Sequence, residues 1–349
     1  HLLLPPPPCL LPAVSANCLL SLRLLRVTRN SEARLAYLSD QFRRVGSDPT
    51  HMMFIRNFTM EILALVGSPR RLGNSELMAK EISRRIPDPH RLKLVRLPEM
   101  DIRPCRACYT CLFDEHTCPQ ADDFPSILEA LLQADGLILA VPVYMHAANA
   151  SLKQFLDRGL SLYGHFEKLW GKPAVAVAIA GIPGMEGYTK LCLDSALRLM
   201  GAQPQASEVV YGALPGEVFL NQDNLKTAEK LANALFGPPP DWQSEPWRCQ
   251  ACGGDTFRFL GSEQVRCMTC SSPGRVQVAD GHVSFAVDPS EDHFFLSLEG
   301  ALRHLRWLQG MKERFLEKKG ELKAICLDYL HEGEWLEPKR KENKVATDS

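Results

Sequence analysis

The chain has 349 residues, a formal net charge of −1, 45% hydrophobic residues and 23% charged residues. That length allows roughly two domains, and the composition is that of an ordinary globular protein. A near-neutral balance offers no polyanion-binding surface, so no nucleic-acid partner is expected. No run approaches about 18 consecutive apolar residues, so no membrane span is expected. Of twelve cysteines, eight fall into two close-spaced quartets. Clustered quartets in a chain of this size point to metal sites in a reducing, cytoplasmic compartment, not to a disulfide scaffold.

Residues 1–59 differ from the rest. They open HLLLPPPPCLLPAV and carry seven arginines, no lysine and only Glu32, Asp40 and Asp48 as acids. Two readings fit: an Arg-rich, acid-poor targeting peptide, or an extension upstream of the true start, with Met52, Met53 and Met60 as candidate starts. The second is preferred, and poor order is expected here.

From Met60 strands and helices alternate. EILALVG (61–67) is a continuous apolar run, as a parallel strand buried on both faces should be. The spacing of Leu77, Met78, Ile82 and Ile86 predicts a helix over 73–86. Strands follow at 91–97, 136–144, 173–181 and 206–212. Helices are expected at 122–134, 148–164, 187–200 and 221–236. Five strands alternating with helices imply an α/β fold with a doubly wound parallel sheet, whose ligands bind at the carboxyl ends of the strands. Gly237 and Pro238–Pro240 mark a boundary between residues 60–237 and 238–349. Beyond it lie a small cysteine-bearing module (about 247–287) and an apolar-striped helix, 297–319, read as a docking face. A charged tail closes the chain.

Three strand-end loops carry candidate binding residues. In GSPRRLGNSE (67–76), Ser68, Asn74 and Ser75 place short polar groups at a helix start. Arg70 and Arg71 add charge, which together makes an anion cradle. In PVYMHAANASLKQFLDR (142–158), Pro142 ends a strand and Tyr144 offers a planar face. Lys153 and Asp157 are spaced to pair on one helix face, and Asp157 and Arg158 are read as helix braces. In AGIPGMEGY (180–188), Gly181, Gly184 and Gly187 let backbone amides come close to a ligand.

Cys105, Cys108, Cys111 and Cys118 follow the spacing C-x2-C-x2-C-x6-C. Four soft thiolates so placed suit a [4Fe–4S] cluster; a zinc site and a metal-free loop are the alternatives. Cys249, Cys252, Cys267 and Cys270 form two C-x-x-C knuckles fourteen residues apart. That is zinc-ribbon spacing, with a rubredoxin-like single iron as the second possibility. His116 and Cys192 are not assigned a ligand or nucleophile role.

These segments, in this order, resemble the NAD(P)H-dependent FMN reductase and iron–sulfur flavoprotein branch of the flavodoxin-like superfamily. The resemblance covers residues 60–237 and implies strand order 2-1-3-4-5. It assigns the FMN phosphate to Ser68, Arg70, Asn74 and Ser75, the ring and ribityl chain to Pro142, Val143 and Tyr144, and the isoalloxazine to Gly181 and its neighbours. Ala107 stands where the family often has glycine. The implied activity is electron transfer from NAD(P)H through FMN, by way of a cluster or directly, to an unidentified acceptor, in a homodimer or larger homo-oligomer. Hydride transfer to flavin requires no acid or base, so no catalytic side chain is named. The alternatives are an electron-carrying or redox-sensing flavoprotein that does not use NAD(P)H, and a zinc-ribbon adaptor with a flavodoxin-like shell.

Overall fold

The computed structural model describes residues 59–113, 116–279, 281–288, 294 and 296–336. The chain divides into two compact units, His1–Thr59 and Met60–Ser349. Residues 1–58 lie outside the described residues, and with them the expectation of poor order.

In the second unit, β1 (Met60–Val66), β2 (His90–Arg96), β3 (Gly136–Tyr144), β5 (Pro173–Ala180) and β6 (Gln203–Tyr211) form a parallel sheet in the order β2-β1-β3-β5-β6. Counted as the five long strands, this is the expected order 2-1-3-4-5. A two-residue strand, β4 (Ala147–Ala148), folds back antiparallel on the end of β3. The central strands read as unbroken apolar runs because both faces are covered. On one face Leu63, Leu65, Leu137 and Leu139 pack with α2 (Phe124–Gln133), α3 (Ala150–Leu156), the short α4 (Phe166–Leu169) and α5 (Thr189–Leu199). On the other, Ile62, Ile138 and Val175 pack with α1 (Asn74–Arg84) and α6 (Gln222–Leu235).

Most boundaries fall within two residues of those expected. Two differ more. The helix expected over 148–164 ends at Leu156, and a 3-10 segment, Gly159–His165, replaces its second half. There Arg158 turns inward to a buried carboxylate, which a regular helix with a solvent-facing brace does not require. β6 begins at Gln203, ahead of the expected Ala206, because its polar start pairs with Pro173 of β5.

The C-terminal region holds a four-stranded antiparallel sheet, β7 (Phe257–Gly261), β8 (Gln264–Cys267), β9 (Pro273–Ala279) and β10 (His282–Val287). The last two strands form a hairpin. Helices α7 (Leu298–Glu317) and α8 (Lys319–Asp328) follow. Ser297 caps α7 by accepting from the Gly300 amide at 3.0 Å. Among the described residues, no helix is long and apolar enough to cross a membrane.

Candidate functional site

The sheet order sets β1, β3 and β5 side by side and pointing the same way, so the loops that follow them share one rim. Hydrogen bonds tie these loops together. Gly67 N donates to Ala140 O at 2.9 Å, and Asn149 Nδ2, buried beyond β4, donates to Gly67 O at 2.5 Å. Tyr188 N, past the β5 loop, donates to His146 O at 2.9 Å. Gly187 is required at this joint. Its φ is +57°, and a Cβ there would sit 2.2 Å from the His146 carbonyl oxygen.

The loop after β1 is built as an anion cradle. Gly73 precedes α1 without a side-chain cap, which leaves first-turn amides of α1 for an anion. Ser68 and Ser75 are buried beside it, while Arg70 and Arg71 are exposed. Ser68 Oγ accepts from Arg70 N at 3.2 Å. The Asn74 side chain faces another loop. Its Nδ2 donates to Gly212 O at 2.8 Å and Leu214 O at 3.0 Å, and its Oδ1 accepts from Gly216 N at 2.9 Å. Asn74 thus binds the cradle to the loop after β6.

Two residues that sequence reasoning missed hold the cradle from below. Arg96, at the end of β2, donates to Ser68 O at 3.2 Å and Arg70 O at 2.9 Å, and pairs with Glu76 at 2.7 Å. Glu76 also accepts from the Leu72 amide at 2.6 Å and from Lys80 at 2.5 Å. Burial raises the Glu76 pKa, but the bonds from Arg96, Lys80 and Leu72 outweigh it and bring the carboxyl down to about 2. With two cations on one carboxylate, a first-turn acid does not repel a bound phosphate. The one sequence signal was Glu76 three residues beyond an uncapped glycine; its partner lies twenty residues away on another strand.

Pro142 and Val143 are half-buried and Tyr144 is exposed at the end of β3. Val143 and Tyr144 pair with Ala148 and Ala147, and Met145 and His146 make the turn with φ of 50° and 64°. Gly181 is exposed at the end of β5. Around this rim Leu72, Tyr144, Met145, Ile182, Met185, Tyr188 and Leu214 expose apolar surface. A separate cavity of about 470 Å³ beside β2 is lined by Val66, Glu76, Arg96, Met100 and Ile127, and by no residue of the loops after β3 or β5.

The cysteine loop leaves the same end of the sheet, between β2 and α2. Its base is closed by Asp123 N to Asp101 O and Asp101 N to Asp123 Oδ2, both 2.8 Å. Arg158 does not brace its own helix. It forms a buried pair with Asp122 at 2.5 Å, donates to Arg103 O at 2.9 Å and lies over the Phe124 ring. Lys153 and Asp157 do pair as spaced. Cys111 is buried in a 3-10 turn, Thr110–Leu112, Cys118 is half-buried, and Cys105 and Cys108 are exposed. Burial pushes the Cys111 thiol up, and neighbouring Cys118, Cys108 and Cys105 add to this, against the nearby Ser161 hydroxyl. The Thr110 hydroxyl and amide lower Cys108. These four sulfurs are not drawn within 4.8 Å of one another, the closeness that marks the second quartet. A mononuclear site needs sulfurs about 3.8 Å apart, from a metal–sulfur bond of about 2.3 Å; a multi-iron cluster spaces its ligands more widely. The all-thiolate donor set suits an iron–sulfur cluster or zinc.

The second quartet is drawn together. Cys249, Cys252, Cys267 and Cys270 are all buried within 4.8 Å, with Cys249–Cys270 at 3.7 Å and Cys252–Cys267 at 3.5 Å. Those are close to the edges of a tetrahedron about one metal ion. Each knuckle closes through a left-handed residue, Gly253 (φ 73°) and Ser271 (φ 60°). Gly254 N points at Cys252 Sγ at 3.3 Å. Contact with Cys249 and the other sulfurs, reinforced by burial, pushes the Cys252 thiol up, and contact with Cys249 pulls the Cys270 thiol down. The ribbon docks on α5. Lys190 bridges Asp194 at 2.9 Å and Asp255 at 2.8 Å, and Arg198 donates to Cys252 O.

Residues 60–212 match the family described as NADPH-dependent FMN reductase. The chain is also similar to an iron–sulfur flavoprotein of Archaeoglobus fulgidus, 29% identical over 50% of this chain and 79% of that protein. A flavone synthase of Aspergillus candidus is 28% identical over 59% of this chain and 75% of its own. Among solved structures, a flavone reductase superposes with a TM-score of 0.63 at 17% identity, over 80% of this chain and all of its own. That share exceeds what residues 1–237 could supply, so the common fold takes in C-terminal residues. The match to this family supports a flavin-dependent oxidoreductase.

Proposed function

We propose that the chain moves electrons from NAD(P)H through FMN to an acceptor, either by way of a [4Fe–4S] cluster on Cys105, Cys108, Cys111 and Cys118 or directly. The observation that carries this is the uncapped start of α1, held open by Arg96 and Glu76 on the same rim as the cysteine loop. Ser68, Ser75, Arg70 and the α1 amides would hold the FMN phosphate, with Asn74 fixing the loop that carries them. Pro142, Val143 and Tyr144 would lie along the ring and ribityl chain, and the Gly181 backbone would meet the isoalloxazine. Bound FMN supplies hydride acceptance and one-electron release. The chain's own residues would hold and orient it. Nicotinamide needs only the exposed apolar rim to stack against the ring.

The same rim favours a planar aromatic acceptor. Tyr144, Met145, Met185 and Tyr188 expose flat or polarizable surface there. Two similar proteins are named for flavones, which supports a flavone-like substrate class. Zinc, or a single iron, would close the C-terminal quartet. A homodimer is supported by the apolar face of α7 and α8, where Phe315, Leu322, Ile325 and Tyr329 stand exposed at three-, four- and seven-residue steps.

Anaerobic mixing of the FMN-loaded protein with NADH and with NADPH tests the donor: bleaching of the flavin absorbance by one of them is expected. Its reoxidation by a flavone, against a protein electron acceptor, separates the two routes. A flavin that neither nucleotide bleaches would leave the electron-carrier reading in its place.

A further inference from the structure

Two buried polar groups beneath the cysteine loop have no hydrogen-bond partner. They are Arg158 Nε and Ser161 Oγ, on residues exposed by 2% and 1%. An unmet donor at such depth is costly, and native folds rarely leave one without purpose. Both side chains come from the turn that replaces the second half of the helix after β3. Ser161 faces the Cys111 sulfur, and the Arg158 guanidinium faces the Cys118 sulfur. Arg158 cannot turn away, because its other nitrogens are held by Asp122 and by Arg103 O.

We propose that Ser161 and Arg158 are positioning donors for the centre held by the cysteine loop: the Ser161 hydroxyl donates to the Cys111 sulfur and the Arg158 Nε–H to the Cys118 sulfur. This rests on the reading that the loop holds an iron–sulfur cluster. Addition of one electron to such a centre adds one negative charge, breaks no bond and moves no proton. Donors aimed at ligand sulfurs stabilise that added charge, so they raise the reduction potential. Because Cys111 and Cys118 are the less exposed pair of the four, their hydrogen bonds are less screened by water than those of Cys105 and Cys108. The same turn thus joins the flavin loop after β3 to the centre that accepts its electrons.

The test uses the full chain, reconstituted with iron and sulfide without oxygen, as wild type, Ser161→Ala and Arg158→Lys. Iron and sulfide content, flavin absorbance and thermal melting report loading and fold, and a spectroscopically monitored redox titration reports the potential. Both variants are expected to hold FMN and to melt as a folded protein, with the cluster potential shifted to more negative values. Ser161→Ala, which removes one oxygen only, keeps the question answerable if Arg158→Lys does not fold. Wild-type potentials in iron-replete Ser161→Ala would overturn the assignment. A wild-type chain that takes up FMN but no iron or sulfide would instead overturn the cluster reading on which it stands.

Discussion

The carboxylate of Glu76 is the residue on which the cradle after β1 turns. It receives Arg96, Lys80 and the Leu72 amide at once, and its side chain is 10% exposed. Its pKa is lowered from 4.5 to about 2 in the folded chain. A depressed folded value means stabilisation that is complete above the unfolded pKa and lost as pH falls through the folded one. Glu76→Gln is therefore expected to cost about 3 kcal/mol at pH 7, from a shift of that size. The gap between wild type and variant should close between pH 4.5 and 2. Denaturant titrations at pH 7 and pH 3 check it, and a pH-independent gap would show that packing, not charge, is what Glu76 supplies. At the other joint of the rim, Gly187→Ala forces a Cβ against the His146 carbonyl at positive φ. With strain of about 1–3 kcal/mol at that position, FMN binding is expected to weaken about tenfold, as read by fluorescence titration.

The elements divide by how much of their cause is local. The three inner strands of the parallel sheet were legible because burial on both faces writes itself as unbroken apolar runs, as in PAVAVAIA of β5. The C-terminal quartet was legible because thiolate spacing is a local constraint. The bend at Gly159–His165 was not, since it follows from Arg158 meeting Asp122 across thirty-six positions of sequence. The Arg96–Glu76 brace and the Asn74 staple were hidden for the same reason. The β9–β10 hairpin did carry a signal, Asp280-Gly281 between alternating valines, which is a two-residue turn pair. In the ribbon, the buried core is the four sulfurs themselves, with Phe257, Val287 and Leu296 packed on them. Too small an apolar core remains to fold this sheet without metal. Chelation, or Cys267→Ser, is expected to unfold the ribbon while the flavin sheet persists. Trp242 near Gly253 reports the first in fluorescence and retained FMN absorbance the second. A ribbon signal unchanged by complete metal removal would refute the metal's structural role.

At the scale of the whole molecule, the first half of α7 belongs to the core of the flavin sheet. Ala301 and Leu305 are buried in the cluster that holds Leu139, Phe155 and Tyr163. Gln309 Nε2 donates to Leu112 O at 2.8 Å, beside Cys111, and Lys312 lies over the Phe113 ring. The C-terminal helix is thus a wall of the cysteine loop as well as a continuation of the ribbon. α8 buries no residue. The two helices should therefore respond differently to the same truncation. Leu305→Ala removes a side chain that is 9% exposed, and a loss of about 2–3 kcal/mol is expected for such a cavity. Leu322→Ala, at a position 39% exposed, should stay within about 0.5 kcal/mol. Denaturant unfolding followed by circular dichroism and by flavin release decides between them. If α7 is core to the sheet, Leu305→Ala moves both transitions together to lower denaturant, because one cooperative unit is weakened. If circular dichroism shifts and flavin release does not, the helix folds apart from the flavin site. Equal effects at 305 and 322 would mean that α8 packs against a second copy of the chain, and dilution would then abolish the effect at 322 while leaving that at 305.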